Sequence, residues 1–174
     1  TRLPSGRRLD LINPDPLAWT DEDLAVRLSR TYRWAGESRW TEPLSVAQHS
    51  LLVLALAQQL ASGTLSVPRR LRELLHDAEE GFLGFDCISP LKAALGEPFE
   101  RVGERLMQAV VRRYRLPPWS EADYALHKSA DRLAAAAEAV HCVGWSLSEV
   151  RTVLGIEEDV LDVDPLAVRY DTQP

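Results

Sequence analysis

With 174 residues, 45% of them hydrophobic, the chain suits a single domain spanning 1–174 around one core and needs no second. A formal net charge of −6 supplies no basic field of the kind that draws proteins onto nucleic acid phosphates, so a small substrate is expected and no nucleic acid polymer. The longest apolar run, LLVLALA at 51–57, falls far short of the roughly 20 residues of a membrane span, TRLPSGRRLDLINP lacks an apolar signal core, and Cys87 and Cys142 lie far apart, so a cytoplasmic protein with two partly buried thiols and no membrane partner is expected.

Residues 1–19 carry Pro4, Gly6, Pro14 and Pro16 and predict an irregular arm, with short strands still open at 8–12. Thr20 followed by Asp23 is a capping signal that opens a short helix to about Tyr32, and a loop rich in Gly, Arg and Trp follows. Ser45 with Gln48 repeats the capping pattern and opens SVAQHSLLVLALAQQLAS, apolar on nearly every side and so the expected central helix. Pro68 suits the first turn of the next helix, RRLRELLHDAEE, which is expected to run on to Gly81 or Gly84. ISPLKAAL reads as a short helix and 99–114 as an amphipathic one. Pro117-Pro118 ends it before the longest helical pattern, 119–144, and a last helix is expected at about 147–154. Nothing alternates with period two over a useful length, so the fold class is all-α, a single helical bundle with an irregular N-terminal arm.

The polar residues inside apolar helices carry the chemistry. His49 lies in the central helix, His76 and Asp77 close the next, and Asp131 interrupts an alanine-rich stretch. Two imidazoles and two carboxylates can supply nitrogen and oxygen ligands to one divalent cation and leave positions free for water and substrate. Mixed ligation of this kind admits Zn, Mn, Co, Fe or Ni. Taken singly, each residue also has a plain reading: a packed or capping histidine, an aspartate paired with an arginine.

The order of these residues, an isolated His, a His-Asp pair some 27 positions on and an Asp about 54 further, resembles the H…HD…D signature of the HD-domain metal-dependent phosphohydrolases. VAQHSLLVLALA resembles that family's first-ligand helix, LLHDAEEGFLGFDCISPLK its His-Asp segment and following turn, HKSADRLAAAAEA its final-aspartate helix, and RTYRWAG a fourth match upstream. The R-W…HS…HD-x-x-E…P-x-K order is nearest to the YfbR-like 5′-deoxynucleotidases. The short chain and the opening GRRLDLINPDP bring it nearer still to the compact phage dATP triphosphohydrolases, the DatZ group. The resemblance implies His49, His76, Asp77 and Asp131 as metal ligands, Glu80 as the acid that orients or deprotonates water, and Asp86 as a second acid. It also implies Arg33 and Lys92 as contacts to phosphate or sugar. Spacing adds that Glu80, four residues after His76, would share its helical face.

Other residues are read from their own chemistry. Lys128, one turn before Asp131, can reach a polyphosphate, and Arg39 is a weaker phosphate candidate. Trp19 and Trp34 are candidates for stacking on a base, with packing against the core as the alternative for both. Trp40, Trp119 and Trp145 are read as core or interface, Glu79 as solvent-exposed, His127 as lying on a helix surface, His141 as structural, and Glu138 as pairing with an arginine or touching the sugar. The expected activity is hydrolysis of a deoxynucleoside triphosphate, dATP to deoxyadenosine and triphosphate, with Mg accompanying the triphosphate. The alternatives are a 5′-deoxynucleotidase acting on monophosphates and a noncatalytic nucleotide-binding module. The resemblance further implies a homo-oligomer, a dimer or hexamer, with the apolar LAVRY tail as a candidate interface.

Overall fold

The computed structural model describes residues 1–158 and 160–162; the LAVRY segment at 166–170 lies outside them. Among the described residues the fold is all-α, with α1 Asp21–Ser29, α2 Val46–Leu60, α3 Val67–Leu74, α4 Ala78–Leu83, α5 Ser89–Leu95, α6 Glu97–Tyr114, α7 Glu121–Glu138 and α8 Leu147–Leu154. A 3-10 turn, Trp34–Gly36, lies between α1 and α2, and a π-helical turn, Ala139–Val143, extends α7. The 8–12 segment forms no strand; the arm makes one isolated bridge, Arg2 to Arg8. No helix among the described residues is long and apolar enough to cross a membrane.

The helix starts follow their caps. Thr20 with Asp23 and Ser45 with Gln48 form reciprocal capping boxes, and Ser146 with Glu149 forms a third at α8. The run expected as one helix from Pro68 to Gly81 or Gly84 is instead broken at Leu75–Asp77. The cause is local: the Nδ1–H of His76 donates to the carbonyl of Glu73 at 2.7 Å, taking the acceptor that the Asp77 N–H would use in a continuous helix. The chain restarts as α4 and ends at Gly84, whose φ of +85° suits a residue without Cβ.

The core has two main parts. In the first, the arm inserts Leu3, Leu9 and Trp19 against Leu24 and Leu28 of α1, Phe82 of α4, and Leu106 and Val110 of α6. Trp19 is fully buried, packs on Phe82 at 4.8 Å between ring centroids and lies beneath the Arg113 guanidinium, so it fastens the arm to the core and is not a stacking surface for a base. In the second, Leu52, Val53 and Leu56 of α2 meet Ala130 and Ala134 of α7. The small alanines let α7 lie close to α2, which brings Asp131 toward His49. Both cysteines are free and buried.

Candidate metal centre

Three separate segments meet at one point. α2 carries His49, the break between α3 and α4 carries His76 and Asp77, and α7 carries Asp131. His49 Nε2 lies 3.3 Å from His76 Nε2, 3.6 Å from Asp77 Oδ2 and 3.4 Å from Asp131 Oδ1, and His76 Nε2 lies 3.1 Å from Asp77 Oδ2. A cation bound at about 2.0–2.2 Å by nitrogen and oxygen separates neighbouring donors by about 3.0–3.6 Å, so the spacings among His49, His76 and Asp77 are those of one coordination shell. His49, His76 and Asp77 can hold a metal ion, and Asp131 stands against the same His49 nitrogen. The histidines are closed off, whereas the side chains of Asp77 and Asp131 are 23% and 22% exposed, so access is from the carboxylate side.

Both imidazoles are oriented by their other nitrogen. His49 Nδ1 meets Glu138 Oε1 at 2.6 Å, and His76 Nδ1 meets the Glu73 carbonyl at 2.7 Å. With Nδ1 donating, each Nε2 is the nitrogen left to offer a lone pair to a cation, as a ligating histidine requires. Two such nitrogens aimed at one another across 3.3 Å are an arrangement that a cation between them satisfies. Behind His76 lies a second buried group: His127 Nδ1 meets Glu73 Oε2 at 2.8 Å, Arg69 donates to Glu73 Oε1 at 2.9 Å, and Trp119 stacks on His127 with the Arg69 guanidinium 4.2 Å from the Trp119 ring centroid. The expected surface placement of His127 is therefore corrected. It is buried edge-on to His76, because Glu73 gives its polar nitrogen a partner inside.

The field of the cluster favours positive charge. Burial and the Arg33 charge push the His49 pKa down, yet the carboxylates of Glu138 and Asp131 outweigh them and raise it to about 9. His76 is also raised: burial opposes this, and the charge of Asp77 prevails. Burial pushes Asp77 and Asp131 upward, but the neighbouring histidines, with Arg33 for Asp77 and Lys128 for Asp131, hold both well below the usual carboxylate range. Glu80, on the first turn of α4, is 4% exposed, and burial followed by the charges of Asp77 and Asp86 raises its pKa. Glu79, expected in solvent, instead turns inward against α6 with a buried, unpartnered Oε2, and burial and Asp77 raise it as well. Because α4 starts afresh after Asp77, the simple one-face spacing from His76 does not apply to either glutamate.

The remaining site residues gather around this centre with partners of their own. Arg33 reaches Asp86 at 3.2 Å and Glu138 at 3.4 Å, and both carboxylates hold its pKa up against burial. Glu138, fully buried, thus pairs with an arginine as expected and at the same time holds His49. Trp34, partly buried, donates from Nε1 to Glu138 at 3.2 Å and packs on Trp145. Trp34 and Ala35 hold φ of +56° and +55°, left-handed values costly for residues with a Cβ, and this turn delivers the indole to Glu138. Lys128 pairs with Asp131. Lys92 lies on a cavity wall together with Glu79 and Glu80. Arg39 instead bonds the carbonyl of Gly144. The sequence reading did not single out Glu73; its signal was an Arg69–Glu73 spacing of four on a helix leading to His76.

Fold and site together define a class: an all-α protein with a buried histidine–aspartate cluster able to hold a metal ion. An uncharacterized protein of Rhodobacter capsulatus is 40% identical over 174 residues, a match covering 99% of this chain and 87% of that protein, and this chain belongs to its family. No family model matches the sequence.

Proposed function

We propose that this protein is a metal-dependent phosphohydrolase of the HD-domain type acting on a deoxynucleotide, with a deoxynucleoside triphosphate such as dATP as substrate and triphosphate as the product beside the nucleoside. The observation that carries the reading is the convergence of His49, His76, Asp77 and Asp131 from three segments beside the buried acid Glu80. A divalent transition metal, Zn, Co or Mn, would be held by these four residues and would supply Lewis acidity toward water and a phosphoryl oxygen. Glu138 and the Glu73 carbonyl fix the two rings, and Glu80 orients the attacking water and takes its proton. Attack at the α-phosphorus breaks its bond to the 5′ oxygen, which takes up the proton that Glu80 removed from water and leaves as the nucleoside hydroxyl.

One observation favours the shorter substrate, a deoxynucleoside monophosphate: Arg33 and Lys128 are each already paired with carboxylates, which leaves little positive charge for a long phosphate tail. Incubating the metal-loaded protein with dATP and with dAMP, then separating triphosphate from orthophosphate by chromatography, decides between them. Triphosphate from dATP supports the first substrate, and orthophosphate from dAMP alone supports the second. Release of neither product removes the phosphohydrolase reading and leaves a metal-dependent nucleotide-binding module.

A further inference from the structure

A cavity of about 330 Å³ opens between α4, α5 and α6, beside the histidine–aspartate cluster. Glu80 joins the two places: it lines the cavity and follows the ligand Asp77 by one turn. Its volume lies at the lower end of the roughly 300–1,000 Å³ of small-molecule sites, a size for one ring system and not a whole nucleotide. Leu83, Phe99 and Met107 give it apolar walls suited to the flat face of a ring. Its polar character is acidic, with Glu79, Glu80, Glu100 and Glu104 against the single cation of Lys92. The acids of α4 are not merely solvated charges: Glu80 is 4% exposed, and Oε2 of both Glu79 and Glu80 is buried without a hydrogen-bond partner. Buried carboxylate oxygens without donors call for a ligand that brings N–H groups.

We propose that this cavity holds the base of the substrate and that Glu79 determines base specificity by accepting a hydrogen bond from an exocyclic amine. The identity of the substrate rests on the phosphohydrolase reading above. The excess of carboxylates repels a phosphate tail, so the nucleotide enters base first, with its phosphates left toward the cluster. Adenine and cytosine carry an amino group where thymine carries a carbonyl oxygen. A carboxylate accepts from the amine and repels the oxygen, so the cavity favours amino bases over thymine. Gly103 of α6 lies opposite Glu79: a Cβ there would stand 3.8 Å from Glu79 Cγ, an ordinary contact, so a larger side chain at 103 fills the cavity without displacing the backbone.

The test uses the full chain loaded with Mn or Zn and measures binding of deoxyadenosine, deoxycytidine and thymidine by ligand-observed NMR, alongside kcat/KM for dATP, dCTP and dTTP. Deoxyadenosine and deoxycytidine are expected to bind at least tenfold more tightly than thymidine, the scale of one charge-assisted hydrogen bond. Glu79→Gln, which keeps shape but offers an amide, is expected to reduce that preference about tenfold with metal content unchanged. Gly103→Leu is expected to weaken all three nucleosides at least tenfold while metal content and melting temperature hold. Failure of the nucleosides to bind, an unchanged preference in Glu79→Gln, or undiminished binding in Gly103→Leu would each overturn the proposal. Discriminating nucleoside binding with no hydrolysis of any nucleotide would support the cavity assignment and remove the phosphohydrolase reading, so the two fail separately.

Discussion

His49 is an imidazole with no exposed surface that meets a carboxylate on each side, Glu138 at Nδ1 and Asp131 at Nε2. A neutral leucine of similar volume would pack there, so the polar choice has to be explained by what the ring faces. His76 and Asp77 face the same point. Replacing either by alanine is expected to abolish metal binding, read by elemental analysis, while circular dichroism stays helical. Glu80→Ala is expected to keep the metal and lose turnover by about 10²- to 10⁴-fold, the usual range for an acid–base group. A near-normal kcat in that variant would move the role to Asp86. At this scale the sequence was informative where residue type was incongruous with its surroundings: histidine and aspartate in apolar helices. It misled where the answer depended on a neighbour from another helix. His127 and Glu79 looked like surface residues because Glu73 and the face of α6 that receive them are far away in sequence.

Among the helices, starts were legible and one interior break was not. Capping boxes are local hydrogen bonds between a residue and its third successor, so Thr20–Asp23 and Ser45–Gln48 can be read directly. The break before α4 contains neither glycine nor proline; it arises from the His76 ring competing for a backbone carbonyl, which periodicity does not register. The arm likewise looked irregular, as it is, but its attachment depended on contacts with α1 and α6. Trp19→Ala is expected to cost about 3–5 kcal/mol of stability by urea denaturation, the range for emptying a buried aromatic site, while base preference stays unchanged. Asp23 tethers the arm to α1, accepting from the Ser5 amide at 2.7 Å, the Ser5 hydroxyl at 2.8 Å and the Thr20 amide at 2.9 Å. Burial alone would raise its pKa, but these donors lower it from 3.8 to about 2. A carboxyl depressed on folding stabilises fully above its unfolded value and loses that contribution as the pH falls through its folded one. Asp23→Ala should therefore cost about 2 kcal/mol at pH 7, the scale of hydrogen bonds to a charged group, and its deficit relative to the unaltered chain should shrink between pH 4 and pH 2.

Across the whole molecule, the cluster sits where the two main parts of the core meet: α4 and the start of α2 belong to one, and α2 from Leu52 on and α7 near Asp131 to the other. A cation there ties both together and binds only the folded chain. At a free metal concentration a hundredfold above Kd, linkage gives about 2.7 kcal/mol. For a chain of this length that corresponds to about 5–10 °C in Tm, lost on chelation and absent in His76→Ala. The Glu138 carboxylate that steadies His49 also receives the indole N–H of Trp34. One acid therefore separates any charge entering the cluster from a chromophore, which would make Trp34 an optical gauge of occupancy. Titrating Mn or Zn into the metal-free chain should shift its tryptophan emission, and Trp34→Phe should remove that shift while leaving the metal affinity within a few-fold.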